Sequence, residues 1–165
     1  MVYKQSLGSN MKFIWPAIGF IAAIISYPLY EDGNLNILVN EKVGFIFLLL
    51  FMLFPLPTLI IHTMYYLNDK NKTVEINKET GSICISDGIK NDCYSKEDIE
   101  GIDIFFNNGY RNALKGYYYA KITLRNGNYK MVTCLTVSNE TDFPFITKRT
   151  SVMLPVISTN KNWIF

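Results

Sequence analysis

The sequence predicts an α+β membrane protein in which two apolar helices precede a mostly antiparallel β domain. Residues 13–30 and 43–67 contain no charged side chain at neutral pH, and the chain becomes polar after Leu67. A helix needs about 20 apolar residues to cross the roughly 30 Å hydrocarbon core of a bilayer. We therefore expect a transmembrane hairpin over residues 13–67, with an external loop at 31–42, and a β domain over residues 68–165.

Basic residues beside the two apolar runs predict the orientation of the hairpin. Lys4 and Lys12 precede the first run and Lys70 and Lys72 follow the second, whereas the linker between the runs holds three acids and one base. Because basic flanks remain in the cytoplasm, we expect a multi-pass protein of the cell inner membrane. Its residues 1–12 would form a cytoplasmic tail, and both termini would be cytoplasmic.

Four features of the apolar runs bear on their role. The first run is longer than the apolar region of a signal peptide, and no small-residue cleavage site follows it, so we interpret it as a retained helix. Pro55 and Pro57 predict a kink near residues 51–53. His62 is formally a candidate for a metal or proton-relay role, but a lone histidine near a helix end more often extends toward the headgroups. The lack of Asp, Glu, Lys and Arg argues against an ion-coupled transporter.

The polar part shows the two-residue alternation of β-strands. Strands are expected at 73–77, 82–86, 89–94, 101–106, 117–125 and 129–137. Gly81 ends the first hairpin loop, where a positive φ is required, and Asn126, Gly127 and Asn128 make a second hairpin turn. A short C-terminal helix is expected over 142–154, with Asp142 as its N-cap.

The cysteines indicate a reducing compartment. Cys84, Cys93 and Cys134 are an odd number and contain no CxxC spacing. We therefore expect three reduced, buried thiols rather than a disulfide framework, which suits a cytoplasmic domain.

At this point the chain resembles the bacterial pleckstrin-homology-like family. The resemblance is carried by the hairpin at 73–86, by the segment 94–102 with its acidic turn, and by the hairpin around 124–127. It implies two membrane helices followed by a small β-barrel, and a charged C-terminal helix that this chain shortens at Pro155. Eukaryotic domains of this fold bind phosphoinositides through basic residues of the first hairpin loop. Here Lys78 stands beside Glu79, so that site is not matched.

A tyrosine-rich surface is the predicted protein-binding site. Its members lie in a long loop and on the strand that follows it: Tyr110, Arg111, Lys115, Tyr117 and Tyr119. Tyrosine supplies contact area at low entropic cost, which favours protein interfaces. The alternative is ordinary packing of a tyrosine-rich barrel.

Four cations are predicted to contact the membrane surface: Lys70, Lys72, Lys148 and Arg149. Each basic residue near an anionic surface contributes about 1 kcal/mol. The alternative is scattered charge that keeps the domain soluble.

The motifs that carry catalysis are missing from this sequence. It contains no G-x-S-x-G, HExxH or P-loop pattern, and its net charge is only +2. We therefore expect no enzyme, no cofactor and no nucleic-acid partner. The leading hypothesis is a membrane-anchored module that binds a protein partner or its own copies at the lipid bilayer. The alternatives are a membrane-bound immunity protein that neutralises a bacterial toxin, and a pore or transport subunit.

Overall fold

The computed structural model describes residues 1–32, 41–53, 55–107 and 114–157. Its helices are α1 (Leu7–Asp32), α2 (Glu41–Leu53) and α3 (Pro55–Asp69). Its strands are β1 (Val2–Lys4), β2 (Thr73–Asn77), β3 (Ser82–Ser86), β4 (Asn91–Tyr94), β5 (Ile99–Phe106), β6 (Tyr118–Leu124), β7 (Tyr129–Thr133) and β8 (Lys148–Ser151), and a 3-10 helix covers Glu140–Asp142. The predicted mixture of helices and mostly antiparallel strands is confirmed.

The first sheet joins the start of the chain to the β domain. Its strand order is β1-β2-β3-β4, and all pairs are antiparallel. Val2 lies opposite Glu75 and Lys4 opposite Thr73. Residues 2–4, expected only as part of a tail, therefore form an edge strand. A segment of three residues is too short to show the two-residue alternation of a strand. It is extended here because it pairs with the edge of β2.

The second sheet corrects the predicted C-terminal helix. Its order is β7-β6-β5-β8, with β8 parallel to β5. The helix expected over 142–154 is wrong, because residues 148–151 of this segment pair with β5 as a strand instead. Thr147 donates its N–H to Ile102 O at 2.8 Å, and Thr147 Oγ1 accepts the N–H of Ile102 at 3.0 Å. β-branched Thr147 and Thr150 favour this extended form over a helix.

The two sheets share one hydrophobic core. β2 and β3 alternate buried and more exposed residues, as the sequence predicts for half-buried strands. Their inward side chains pack in the same cluster as those of the second sheet, including Val74, Ile76, Ile83, Ile85, Ile102, Ile104, Ile122 and Val132. Lys130 of β7 donates to Asp92 of β4 at 2.9 Å, which joins two sheet edges. Within the described ranges the strands form two sheets, and a closed barrel is not seen.

Helix α3 covers the β domain in place of a C-terminal helix. Thr58, Ile61, His62, Tyr65 and Asp69 are buried, and their spacing of three or four residues places them on one face of the helix. α1 packs on α3 and contributes two residues of its own, Phe13 and Ala17, to the buried set. Helices α1 and α3, which precede the β domain in sequence, thus contribute residues to its core.

One helix in the described part of the chain, Gly44–Asp69, is long and apolar enough to cross a membrane. α1 contains a shorter apolar stretch, Asn10–Ser26. The kink predicted near residues 51–53 falls at the end of α2, and residue 54, which separates α2 from α3, lies outside the described residues. Most of the predicted external loop, residues 33–40, also lies outside them.

The cysteine prediction is wrong for two of the three residues. Cys84 of β3 lies directly opposite Cys93 of β4, with their Cα atoms 4.0 Å apart, and the two form a disulfide. Cys134 is free and buried, and burial raises the pKa of its thiol. An odd count does not exclude one disulfide when strand register sets two of the cysteines side by side.

Candidate functional site

Tyr117 joins the helices to the second sheet. Its hydroxyl lies 2.9 Å from Nδ1 of His62, and its ring lies 5.2 Å from Phe13 and 5.7 Å from Tyr65, measured between centroids. Tyr65 in turn donates its hydroxyl to the carbonyl of Pro155 at 2.7 Å. These aromatic contacts connect α1, α3, β6 and the C-terminal segment. His62 therefore serves packing here through a buried hydrogen bond to Tyr117.

The exposed tyrosine face predicted at Tyr117 and Tyr119 is wrong. Tyr117 is fully buried and Tyr119 is 8% exposed. The ring of Tyr119 stacks on Phe105, with the centroids 4.9 Å apart. Aromatic residues of neighbouring strands and helices cover both side chains. The alternation of residues along a single strand gives no information about such partners. Lys115 is exposed, whereas Tyr110 and Arg111 lie outside the described residues.

A basic pocket lies where α1 begins and α3 ends. Lys4, Lys70 and Lys72 line a cavity of about 340 Å³ together with Gln5, Asn10 and Tyr66. The structure therefore brings together two predicted membrane-surface residues and adds Lys4, which the sequence marked only as a helix flank. Lys4 reaches the pocket because β1 pairs with β2 beside Lys72. No local pattern in three residues of sequence could have shown that pairing.

The three lysines of the pocket differ in their exposure and in their hydrogen-bonding partners. Lys4 and Lys70 are exposed, whereas Lys72 donates to the carbonyl of Met131 at 3.1 Å. Burial lowers the pKa of Lys72, and the Asp69 carboxylate, 3.8 Å from its Nζ, partly opposes this. Asp69 itself accepts the N–H and the hydroxyl of Thr133, at 3.1 and 2.7 Å. The acid is thus bound to the sheet, and the open side of the pocket carries positive charge.

The other two predicted cations lie elsewhere. Lys148 and Arg149 are on β8, three strand spacings or about 14 Å from β7, the strand that Lys72 contacts. Arg149 pairs with Glu140 and lies over the ring of Phe106. Lys148 and Arg149 therefore do not line the pocket that Lys70 and Lys72 line.

An apolar groove adjoins the basic pocket. It runs between α1 and α3, encloses about 370 Å³, and is lined by Met11, Ile14, Ile18 and Thr63 together with Asn10 and Tyr66. The last two residues line both cavities. The basic pocket and the apolar groove are thus neighbours on the surface of the α1–α3 pair.

A family model described as a PH domain matches residues 2–143, which is most of the chain. The chain belongs to the PH-domain family. The match includes the helices and strands β1 to β7, and β8 lies beyond its end. The helices α1 and α3, which share the core of the sheets, therefore belong to the matched unit. Neither the search of curated proteins nor the search of solved structures found a match.

Membership in the PH-domain family indicates a binding or interaction module. PH-like domains are in general non-enzymatic, and no catalytic family is indicated. In the part of the chain that the structure describes, no group of three or more His, Cys, Asp or Glu side chains could hold a metal ion. A binding module acts through its surfaces. At the α1–α3 junction of this PH domain, a pocket lined by lysines lies beside an apolar groove.

Proposed function

We propose that this protein is a membrane-anchored binding module that holds its PH domain rigidly against a lipid bilayer. The observation that carries the proposal is the shared core: Phe13 of α1 and Ile61 and Tyr65 of α3 are buried in the same cluster as the two sheets. One face of such a helix is part of the core of the domain. If the helix also enters the bilayer, the domain is held at a fixed position beside the membrane.

The strand pairing supports a helical hairpin in the membrane. β1 and β2 are neighbours in one sheet, so residues 2–4 and 73–77 lie on the same side of any membrane that the chain crosses. If Gly44–Asp69 crosses once, the chain must cross a second time between residues 4 and 44. α1, with 26 residues, is long enough at about 1.5 Å per residue.

The side of the membrane is inferred from the lysine flanks, which favour the cytoplasm for both termini. The Cys84–Cys93 disulfide favours the opposite side, because disulfides are rare in the cytosol. Thr80, exposed in the turn between β2 and β3, is a suitable reporter. With Thr80→Cys, an impermeant maleimide should label inverted inner-membrane vesicles and spare intact spheroplasts. The reverse pattern would place the PH domain outside.

Anchoring is tested on the full chain by washing membranes with alkaline carbonate. The protein should remain in the pellet with integral proteins and float with the vesicles on a density gradient. Release into the supernatant, as for a peripheral protein, would refute the anchoring proposal.

A protein partner remains a proposal for the exposed part of the loop after β5. Lys115 is exposed there, and the neighbouring Tyr110 and Arg111 belong to the same predicted surface. Alanine at Tyr110 and Arg111 should weaken partner capture in a pull-down without unfolding the domain, and unchanged capture would exclude this loop. In the described ranges no observation favours the toxin-immunity or pore alternatives.

A further inference from the structure

The Cys84–Cys93 disulfide lies at the surface of the domain, on the edge of the first sheet. It joins β3 to β4, and β4 is the last strand in the order β1-β2-β3-β4. Cys93 is exposed and Cys84 is half-buried, and neither belongs to the hydrophobic core cluster. Thiols in solution can exchange with a disulfide that they can reach, whereas a buried disulfide exchanges only when the chain opens.

The strand register brings these two side chains together. Asp87 donates its N–H to the carbonyl of Lys90 at 3.2 Å, which closes the loop 87–90 between the two strands. Hydrogen-bonded and non-hydrogen-bonded pairs alternate from there, and Cys84 lies opposite Cys93 as a non-hydrogen-bonded pair. Side chains come closest at such a pair, here on the face opposite to the buried isoleucines of β3.

Few contacts other than the disulfide hold β4 in place. On its outer face only Asn91 accompanies Cys93. On its inner face Tyr94 packs against the core, and Asp92 accepts a hydrogen bond from Lys130 of β7 at 2.9 Å. Among the described strands, none pairs with the free edge of β4. The position of β4 therefore depends on β3, on one aromatic contact and on one ion pair.

A cleft separates β4 from the β6–β7 hairpin. Its volume is about 530 Å³, and Asp92 and Tyr94 of β4 line it together with Lys130 of β7. A second cavity of about 400 Å³ adjoins it, because Tyr94 lines both, and Cys93 and Arg125 belong to the lining of the second. The disulfide is thus at the rim of a cleft that has β4 as one wall, and a displacement of β4 would widen it.

We propose that the Cys84–Cys93 pair is a redox site that takes a dithiol, and that its reduction releases β4 and opens the cleft beside the β6–β7 hairpin. A thiolate of the reductant attacks Sγ of Cys93, the more exposed residue. A mixed disulfide forms there, and the Cys84 sulfur leaves as a thiolate that takes up a proton.

The second thiol of the reductant completes the reaction. As a thiolate it attacks the reductant's own sulfur in the mixed disulfide and expels the sulfur of Cys93, which is protonated in turn. Two electrons and two protons have then passed to the chain, and the reductant leaves as a disulfide. The pair is therefore a disulfide in oxidising surroundings and two thiols in reducing ones, which is compatible with the cytoplasmic side that the lysine flanks favour.

The first test measures whether the folded chain can be reduced. The full chain, isolated oxidised in detergent, is incubated with dithiothreitol, alkylated without denaturation and weighed by intact-protein mass spectrometry. Two labels should appear, at a rate within about ten-fold of the rate in guanidinium chloride, because the bond is exposed. Buried Cys134 should stay unlabelled, which shows that the domain remains folded. Reduction only in denaturant, or labelling of all three cysteines together, would contradict the site.

Single variants test which sulfur is attacked. Cys84→Ser leaves Cys93 as a free thiol, and Cys93→Ser leaves Cys84. With glutathione disulfide as the probe, Cys93 should react about ten-fold faster than Cys84, because it is the more exposed of the two. Equal rates, or a faster reaction of Cys84, would refute attack at Cys93.

Hydrogen exchange tests the release of β4. On reduction, the amides of Asp92 and Tyr94 should exchange at least about ten-fold faster, whereas that of Ile102 in the second sheet should not change. Cys84→Ser/Cys93→Ser should match the reduced wild type with or without dithiothreitol.

The matched control for this experiment is Cys134→Ala, which keeps the disulfide and should respond to dithiothreitol like the wild type. Unchanged exchange in β4 after reduction would show that the bond does not hold the strand, and would overturn the proposal. An equal increase in both sheets would overturn it too, because reduction would then destabilise the whole domain instead of releasing one strand.

Discussion

At the residue scale, Asp69 connects α3 to the second sheet of the PH domain. It is the last residue of α3 and is fully buried, and its carboxylate accepts two hydrogen bonds from Thr133 at the end of β7. Lys72 follows within one turn and partly neutralises it. A buried acid of this kind persists only because its hydrogen-bonding partners replace water.

Asp69→Ala should lower the free energy of unfolding by about 2–4 kcal/mol, because it leaves the Thr133 donors unpaired and Lys72 without its acid. Denaturant unfolding in detergent measures the change. Glu75→Ala, which removes an exposed carboxylate on β2, is the control and should change stability by less than about 0.5 kcal/mol. Equal effects of the two substitutions would show that Asp69 does not hold the helix to the sheet.

Asp92 gives the domain a defined response to acid. Hydrogen bonds from Lys130 and Lys90 lower the pKa of its carboxyl below the ordinary value of 3.8. A group whose folded pKa is depressed stabilises the fold above its unfolded pKa, and this contribution disappears as the pH falls through the folded value.

The melting temperature of the wild type should therefore fall more steeply than that of Asp92→Asn as the pH is lowered from about 4 to 2. Above this range the wild type should be the more stable of the two. Parallel curves over the whole titration would mean that the Lys130–Asp92 contact between the sheets contributes nothing.

At the element scale, the β3–β4 hairpin is closed by the Cys84–Cys93 disulfide. The loop between the two cysteines is short, so the bond is expected to contribute about 2–3 kcal/mol by restricting the unfolded chain. This contribution is local, because both strands belong to one sheet.

Alkylation of the denatured, unreduced protein should label one thiol per chain, that of Cys134, and reduction beforehand should raise the number to three. Intact-protein mass spectrometry counts the labels. Three labelled thiols without reductant would contradict the disulfide.

Elements differ in how far local sequence determines them. β2, β3 and β6 begin and end close to their predicted positions, because alternation and turn residues such as Gly81 and Gly127, both at positive φ, act within a few residues. β7 begins at its predicted position but ends at Thr133 rather than at residue 137. β8 was predicted as a helix, because its pairing partner β5 lies more than 40 residues away in sequence. The disulfide depends on the length of one turn: the four-residue loop 87–90 places Cys84 opposite Cys93, whereas a two-residue turn at Asp87 and Gly88 would place Cys84 opposite Asn91.

At the scale of the whole molecule, the pairing of β1 with β2 fixes both ends of the helical region to one sheet. Val2 and Glu75 are opposite each other, and their neighbours Met1 and Ile76 exchange two backbone hydrogen bonds, of 2.8 and 2.7 Å. Val2 and Glu75 are therefore a non-hydrogen-bonded pair, whose side chains come closest in an antiparallel ladder.

Val2→Cys/Glu75→Cys, in a background of Cys84→Ser and Cys93→Ser, should cross-link spontaneously under mild oxidation. Cleavage between the two sites would then leave fragments that separate only after reduction. Val2→Cys/Thr80→Cys is the control and should not cross-link, because Thr80 lies beyond the paired strand. Absence of a cross-link in the first variant would contradict the edge strand and remove the support for a hairpin.

The sequence by itself determined the apolar helical segments, the two strong hairpins and the lack of catalytic motifs, because these depend on composition, periodicity and turn residues close together in the chain. Only the tertiary structure decided which helix covers the sheets, that Tyr117 and Tyr119 are buried, and that Lys4 stands beside Lys70 and Lys72. Each of these depends on contacts between residues far apart in sequence. A short strand such as β1 forms its hydrogen bonds only with a strand that is distant in sequence. The tyrosines are likewise buried only by elements distant in sequence that pack against them.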